Sequence, residues 1–196
     1  GSGTDHLVLE GNYSGATALT LSAGAMADIE VVALRGAHDY DITSATDQVY
    51  GLNTAPVTFT AFGLGTNNSF HLDDSLDTQV MDRVFCGEGT YDISVGSFAK
   101  NLIAFGGSFN SNDVVHGNTG MDTLGLNGDF TAASLDASYT GSNALTFGAN
   151  QLSSIEILGV TGGYNYNITM NDGNVAAGQT LTIEAAGYSV YAGGRD

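Results

Sequence analysis

Residues 3–13 read GTDHLVLEGNY, and residues 120–130 read GMDTLGLNGDF, 117 positions further along the chain. In both stretches a Gly-x-Asp turn leads into alternating apolar residues, Leu7 and Leu9 in the first and Leu124 and Leu126 in the second. Alternation with period two predicts a β-strand with one buried face, and the Gly, Asn and Asp residues at its ends predict turns. A turn and strand that recur at this distance predict an architecture of stacked, similar units.

The similarity continues downstream of both stretches. Ile29-Glu30 corresponds to Ile155-Glu156, Tyr40-Asp41-Ile42-Thr43 to Tyr166-Asn167-Ile168-Thr169, and Val57-Thr58-Phe59 to Leu181-Thr182-Ile183. We therefore divide the chain into a first β module (1–63), a central Gly-Asp turn region (64–116) and a second β module that repeats the first (117–196). We expect the three to form one continuous stacked unit. A shorter repeat in the centre aligns residues 82–93 with residues 113–124, so that Val84 matches Val115.

The composition favours strands over helices. Hydrophobic residues make up 42 % of the 196 residues, and no apolar pattern with the 3.6-residue period of a helix is sustained. Short alternating stretches bounded by turn residues predict an all-β fold, and the regular Gly-rich corners favour a right-handed parallel β-solenoid or β-roll. Two antiparallel β-sandwich modules, one per repeat, are the alternative, because Asn127-Gly128 and Glu10-Gly11 could form hairpin turns.

The charge balance excludes several classes of partner. Four Lys and Arg residues stand against 21 Asp and Glu residues, which gives a net charge of −17. Nucleic acids and anionic membrane surfaces are bound through clustered basic residues, so we expect neither as a partner. No apolar run approaches the roughly 18–20 residues of a membrane span. Cys86 is the single cysteine, so an internal disulfide is impossible, and bound metal is the usual substitute.

The stretch Gly117-Asn118-Thr119-Gly120-Met121-Asp122 combines two kinds of oxygen ligand. Glycines allow a tight turn that exposes backbone carbonyls, and the aspartate supplies a carboxylate. Carbonyl and carboxylate oxygens are the ligands that Ca²⁺ prefers. The alternative is that the aspartate accepts hydrogen bonds from the amides of its own turn. The stretch resembles the nonapeptide G-G-x-G-x-D-x-U-x of the RTX, or hemolysin-type, calcium-binding β-roll. Gly1-Ser2-Gly3-Thr4-Asp5-His6-Leu7 is a looser match.

This resemblance implies a spacer module of a large bacterial surface protein, exported by type I secretion and folded on meeting extracellular calcium. It implies a structural or adhesive role without catalysis, with cell-surface polysaccharide or neighbouring copies of the chain as further partners. The expected calcium ligands and turn residues are Asp122, Gly117, Thr119, Gly120, Asp5, Gly3 and Gly1, with Asp113 and Asp92 added from the shorter repeat.

The sequence also allows other kinds of binding site. Tyrosines such as Tyr40, Tyr166 and Tyr191 could stack against sugars, as in a carbohydrate-binding module or an accessory domain of a polysaccharide-active enzyme. The acidic stretch from His71 to Asp77 is a further candidate cation site. No nucleophile, nucleotide or zinc motif is present, so we expect the chain not to be an enzyme itself.

Overall fold

A computed structural model describes residues 3–22, 25–44, 56–128, 145–162 and 164–185. Short 3-10 helices cover Gly15–Thr17 and Asp172–Asn174. The strands of the described residues are β1 (His6–Glu10), β2 (Leu19–Leu21), β3 (Val31–Arg35), β4 (Tyr40–Ser44), β5 (Val57–Ala61), β6 (Ser69–Asp73), β7 (Asp82–Cys86), β8 (Thr90–Ser94), β9 (Leu102–Phe105), β10 (Val114–His116), β11 (Thr123–Leu126), β12 (Leu145–Thr146), β13 (Leu152–Ser153), β14 (Ile157–Val160), β15 (Ile168–Thr169) and β16 (Thr182–Glu184).

Successive strands alternate between two sheets, so that the chain winds into a β-solenoid of about six turns. The long sheet has the order β1-β3-β5-β7-β9-β11-β14-β16, and the short sheet has the order β13-β10-β8-β6-β4-β2. All pairings in the two sheets are parallel, and so is that of β12 with β15, which form a separate two-stranded sheet. The predicted parallel solenoid is therefore confirmed. The antiparallel sandwich alternative is wrong, because its hairpins would pair neighbouring strands in opposite directions.

The coils differ in length, and the differences lie in the corners between strands. Arg83 pairs with Leu102 and Leu102 with Thr123, so these coils advance by 19 and 21 residues. His6 pairs with Val31, an advance of 25 residues, and Thr123 with Ile157, an advance of 34. Irregular corners explain why the repeat in the sequence has no constant period.

The inward faces of the two sheets enclose one apolar core that passes through all the coils from β1 to β14. Aromatic rings meet inside it, with centroid distances of 5.3 Å between Tyr91 and Phe105 and 4.8 Å between Phe105 and Phe109. Cys86 is buried among them, and burial raises the pKa of its thiol well above the usual value. Because one coil alone cannot bury its apolar faces, each coil depends on its neighbours for stability.

The long repeat places equivalent residues at equivalent positions. Leu7 and Leu124 both lie in the long sheet, and the pairing of Leu19 with Ile42 recurs as that of Leu145 with Ile168. The shorter repeat does not describe a coil. Val84 lies in the long sheet, whereas Val115 lies in the short sheet. The two copies of the shorter repeat therefore occupy opposite sides of the solenoid. In the described residues no helix is long and apolar enough to span a membrane.

Candidate functional site

A row of polar residues runs along the start of the long-sheet strands. We call it the polar ladder; its members are Asp5, Glu30, Asp82, Asn101, Asp122 and Glu156. Backbone N–H groups donate to the side chain of the next coil, from Asp5 to Glu30 Oε2 at 2.7 Å and from Asp122 to Glu156 Oε2 at 2.8 Å. Asp82 N donates in the same way to Asn101 Oδ1 at 2.9 Å. These bonds tie β1 to β3, and β7 to β9, β11 and β14, at one edge of the core; between the two groups Val57 of β5 takes the corresponding place and interrupts the row.

Asp122 is a fully buried member of this ladder. Its Oδ1 accepts hydrogen bonds from Asn101 N at 3.1 Å and Nδ2 at 2.9 Å, and its Oδ2 accepts one from Asn118 N at 3.2 Å. Burial raises the pKa of the carboxyl to about 6, although these bonds oppose the shift. A Cβ at Gly117 would overlap the Ser154 carbonyl oxygen and lie 2.7 Å from Asp122 Oδ2. The carboxylate thus accepts from an amide of its own turn, the alternative to calcium binding that the sequence left open.

Asp113 and Asp92 lie in contrasting surroundings. Asp113 is fully buried; its Oδ1 accepts from Tyr91 N at 2.9 Å, and its Oδ2 accepts from Asn110 N at 2.7 Å and Nδ2 at 3.0 Å. Burial raises its pKa to about 6. Asp92 is exposed on β8, with Oδ2 4.0 Å from Nε2 of His71, whose Nδ1 lies 2.9 Å from Asp41 Oδ1. The two aspartates are therefore not part of one cation site.

The structure does not bring the two predicted Gly-Asp turns together. Asp5 precedes β1 and Asp122 precedes β11, with four strands of the long sheet between them. At the usual strand spacing this separates them by roughly 24 Å. Gly3 and Gly120 both have positive φ, at 136° and 141°, as tight turns require. Thr119 and Gly120 line a cleft of about 300 Å³ with Glu156. Gly1 lies outside the described residues.

Three other carboxyls are buried together where β6 leads to β7. They belong to Asp74, Asp77 and Asp82, and each residue is 0 % exposed. Asp82 Oδ2 accepts from Gly96 N at 3.0 Å, and Asp77 Oδ1 accepts from Gln79 N at 2.7 Å. Burial, followed by the negative charge of Asp82, raises the pKa of Asp74 well above its usual value. Burial also raises the pKa of Asp82 to about 6.

The acidic stretch predicted as a cation site contains Asp74 and Asp77, but Asp82 is not among the predicted site residues. A usable signal was present, because Asp82, Val84 and Cys86 share one parity and so lie on the inward face of β7. Across the described residues, no group of three or more His, Cys, Asp and Glu side chains is already gathered as a metal site.

Two of the tyrosines expected to stack on sugars, Tyr40 and Tyr166, form internal hydrogen bonds. The Tyr40 hydroxyl donates towards the carbonyls of Leu9 at 3.1 Å and Arg35 at 2.5 Å, and Tyr40 is buried. Tyr166 repeats this arrangement, with its hydroxyl 3.0 Å from the Leu126 carbonyl oxygen. Tyr164 is exposed, whereas Tyr139, Tyr188 and Tyr191 lie outside the described residues.

Comparison with protein-family models, with curated proteins and with solved structures finds no match.

Proposed function

We propose that the chain is a non-catalytic structural segment of a secreted, RTX-like bacterial surface protein, and that calcium stabilises its fold. The observation that carries this proposal is the continuity of the stack. The eight-stranded parallel sheet contains strands from all three segments, 1–63, 64–116 and 117–196. One apolar core runs through the same three segments. A solenoid of this kind holds its two ends at a fixed distance, which suits a spacer or an adhesive stalk.

The balance of charges supports calcium as the stabilising ligand. The chain carries a net charge of −17, and five of its aspartates are fully buried: Asp74, Asp77, Asp82, Asp113 and Asp122. Self-repulsion of this size destabilises a compact state, and a bound divalent cation offsets it. Extracellular modules commonly bind calcium with dissociation constants of about 10⁻⁴–10⁻³ M. Such an affinity would couple folding to export.

Thermal unfolding of the full chain, followed by circular dichroism in excess chelator and then in millimolar calcium, tests the proposal. Because a ligand that binds only the folded state raises its stability, we expect the melting temperature to rise by roughly ten degrees or more. Magnesium at the same ionic strength is the control for general screening. Equal melting temperatures in chelator and calcium would contradict the proposal. A saturable change in tyrosine fluorescence with an oligosaccharide would instead favour a carbohydrate-binding module.

A further inference from the structure

Residues 74–82, which we call the corner loop, connect β6 in the short sheet to β7 in the long sheet. The loop folds inward, because Asp77 N donates to the Asp74 carbonyl oxygen at 2.9 Å and Ser97 N of the next coil donates to the Asp77 carbonyl oxygen at 2.6 Å. Gly96 packs so closely against it that a Cβ there would lie 3.2 Å from the Asp74 carbonyl oxygen. Backbone and carboxyl oxygens therefore converge on one buried corner.

The carboxyl of Asp74 lacks any donor in this corner. Both of its oxygens are buried with no N–H or hydroxyl donor, and so is Oδ1 of Asp82; the two carboxyls lie within hydrogen-bond reach of each other, where they can share one proton. By contrast, the equally buried carboxylates of Asp113 and Asp122 accept bonds from N–H groups on both oxygens. An unpartnered buried carboxylate is strongly unfavourable, so this corner requires a positive ligand or a proton.

The described residues supply no cation to the corner. None of their Lys and Arg side chains forms an ion pair with Asp74 or Asp82. Arg83 follows Asp82 directly, but neighbouring residues of a strand point to opposite faces, and Asp82 faces the buried side. The charge of this corner is therefore offset from solution, by a bound cation or by a proton.

We propose that the corner loop binds a divalent cation, with Asp74 and Asp82 as its carboxylate ligands and Asp77 strengthening the negative field. This site would be one place where the proposed calcium binding occurs. It rests on the proposed function only for the choice of calcium as the ion. Hard oxygen ligands from carboxylates and backbone carbonyls are the donor set that calcium uses. The site couples two sheets of one coil to Gly96 in the next, so its occupation would stabilise the centre of the stack.

Substitution of Asp74 by Asn gives a signature that a purely structural residue would not produce. The amide removes one negative charge and can donate a hydrogen bond to Asp82, so we expect D74N to melt at a higher temperature than the wild type in chelator. The same variant loses a ligand, so its rise in melting temperature with calcium should disappear. Calorimetric titration should show its calcium affinity reduced at least tenfold. D172N, with an equal change of charge at an exposed carboxyl outside the predicted calcium ligands, should respond to calcium like the wild type.

The outcomes separate this site from the proposed function. Calcium binding by D74N and D82N as tight as in the wild type would overturn the corner site and leave calcium-coupled folding intact. A wild type that binds no calcium would overturn both, and a raised melting temperature of D74N in chelator would then identify a shared proton. If neither variant folds, a crystal structure of the wild-type chain grown with calcium decides. Density between Asp74 and Asp82 supports the site, and none there overturns it.

Discussion

At the scale of single residues, one buried tyrosine links two corners of the solenoid. The Tyr91 hydroxyl donates to the Glu88 carbonyl oxygen at 2.8 Å and accepts from Gly87 N at 2.9 Å. It also lies 3.2 Å from the Ala61 carbonyl oxygen of the preceding coil. The ring itself packs edge-on against Phe70 and Phe105. The hydroxyl therefore satisfies backbone groups that the apolar ring would otherwise leave without a partner.

Replacing Tyr91 by Phe should lower the free energy of unfolding by about 2 kcal/mol, because the Gly87 N–H loses its acceptor in a water-poor corner. Chemical denaturation followed by circular dichroism measures the change. Tyr13→Phe is the matched control, since no hydrogen bond of the Tyr13 hydroxyl is seen in the described residues. Equal free energies of unfolding for the two variants would show that the hydrogen bonds of the Tyr91 hydroxyl do not stabilise the fold.

Glycine is required at some turns for space rather than for backbone conformation. At Gly117 a Cβ would overlap the Ser154 carbonyl oxygen, whereas at Gly162 a Cβ would meet nothing within 4 Å. We expect Gly117→Ala to destabilise the fold by about 3 kcal/mol, as overpacking of a tight contact does. Gly162→Ala should change the denaturation midpoint little. A Gly117→Ala variant as stable as Gly162→Ala would contradict the close approach described here.

At the scale of elements, the polar ladder depends on the neutral side chain of Asn101. Its Nδ2 donates to Gly96 O at 2.8 Å and to Asp122 Oδ1 at 2.9 Å, and its Oδ1 accepts from Asp82 N. A neutral amide thus separates the ladder carboxyls of Asp82 and Asp122. Polar side chains can follow one another on consecutive coils here because the Asn101 amide donates hydrogen bonds, whereas the neighbouring carboxylates only accept them.

Changing Asn101 to Asp should lower the free energy of unfolding by about 3–5 kcal/mol at neutral pH, the usual cost of an unpaired buried charge. The substitution removes two donated hydrogen bonds and places a further carboxylate between those of Asp82 and Asp122. Asn112→Asp makes the same chemical change in an exposed turn and should be nearly neutral. Denaturant titration of both variants tests the difference. If N101D were as stable as N112D, the neutral amide of Asn101 would not be needed to stabilise the polar ladder.

The strands and their repeat were predictable from the sequence, but the corner loop was not. Alternation in residues 3–13 and 120–130 identifies β1 and β11, since a strand needs only local pattern, although β11 is buried on both faces rather than one. Asp82 and Asp122 share the polar ladder only because coils of 19 and 21 residues bring them into register. That register depends on pairing between distant strands. The sequence therefore indicates the carboxyls but not which of them meet.

At the scale of the whole molecule, burial of acids makes stability depend on pH. Asp113 has a folded pKa of about 6 against an ordinary value of 3.8, because burial disfavours its charged form. The folded state therefore holds this proton more tightly than the unfolded state. Its stabilising contribution is fully present below pH 4 and is lost as the pH rises through 6.

In chelator, we accordingly expect the free energy of unfolding to fall between pH 4 and pH 7, by up to about 3 kcal/mol from Asp113 alone. Asp113→Asn should flatten this part of the profile, because an amide does not titrate in this range. Asp92→Asn, an equal change of charge at an exposed position, should keep the wild-type profile. Denaturation series at several pH values measure all three. A stability that rises with pH over this range would contradict the account.

We infer that calcium binding and the stacked coils form one cooperative system. Hydrogen exchange of the ladder amides of Asp5, Asp82, Asn101 and Asp122, measured by NMR in chelator and in millimolar calcium, tests this inference. Because these amides lie on different coils and bond across them, calcium should slow their exchange together and by a similar factor. Unchanged exchange at all four amides on adding calcium would contradict the claim.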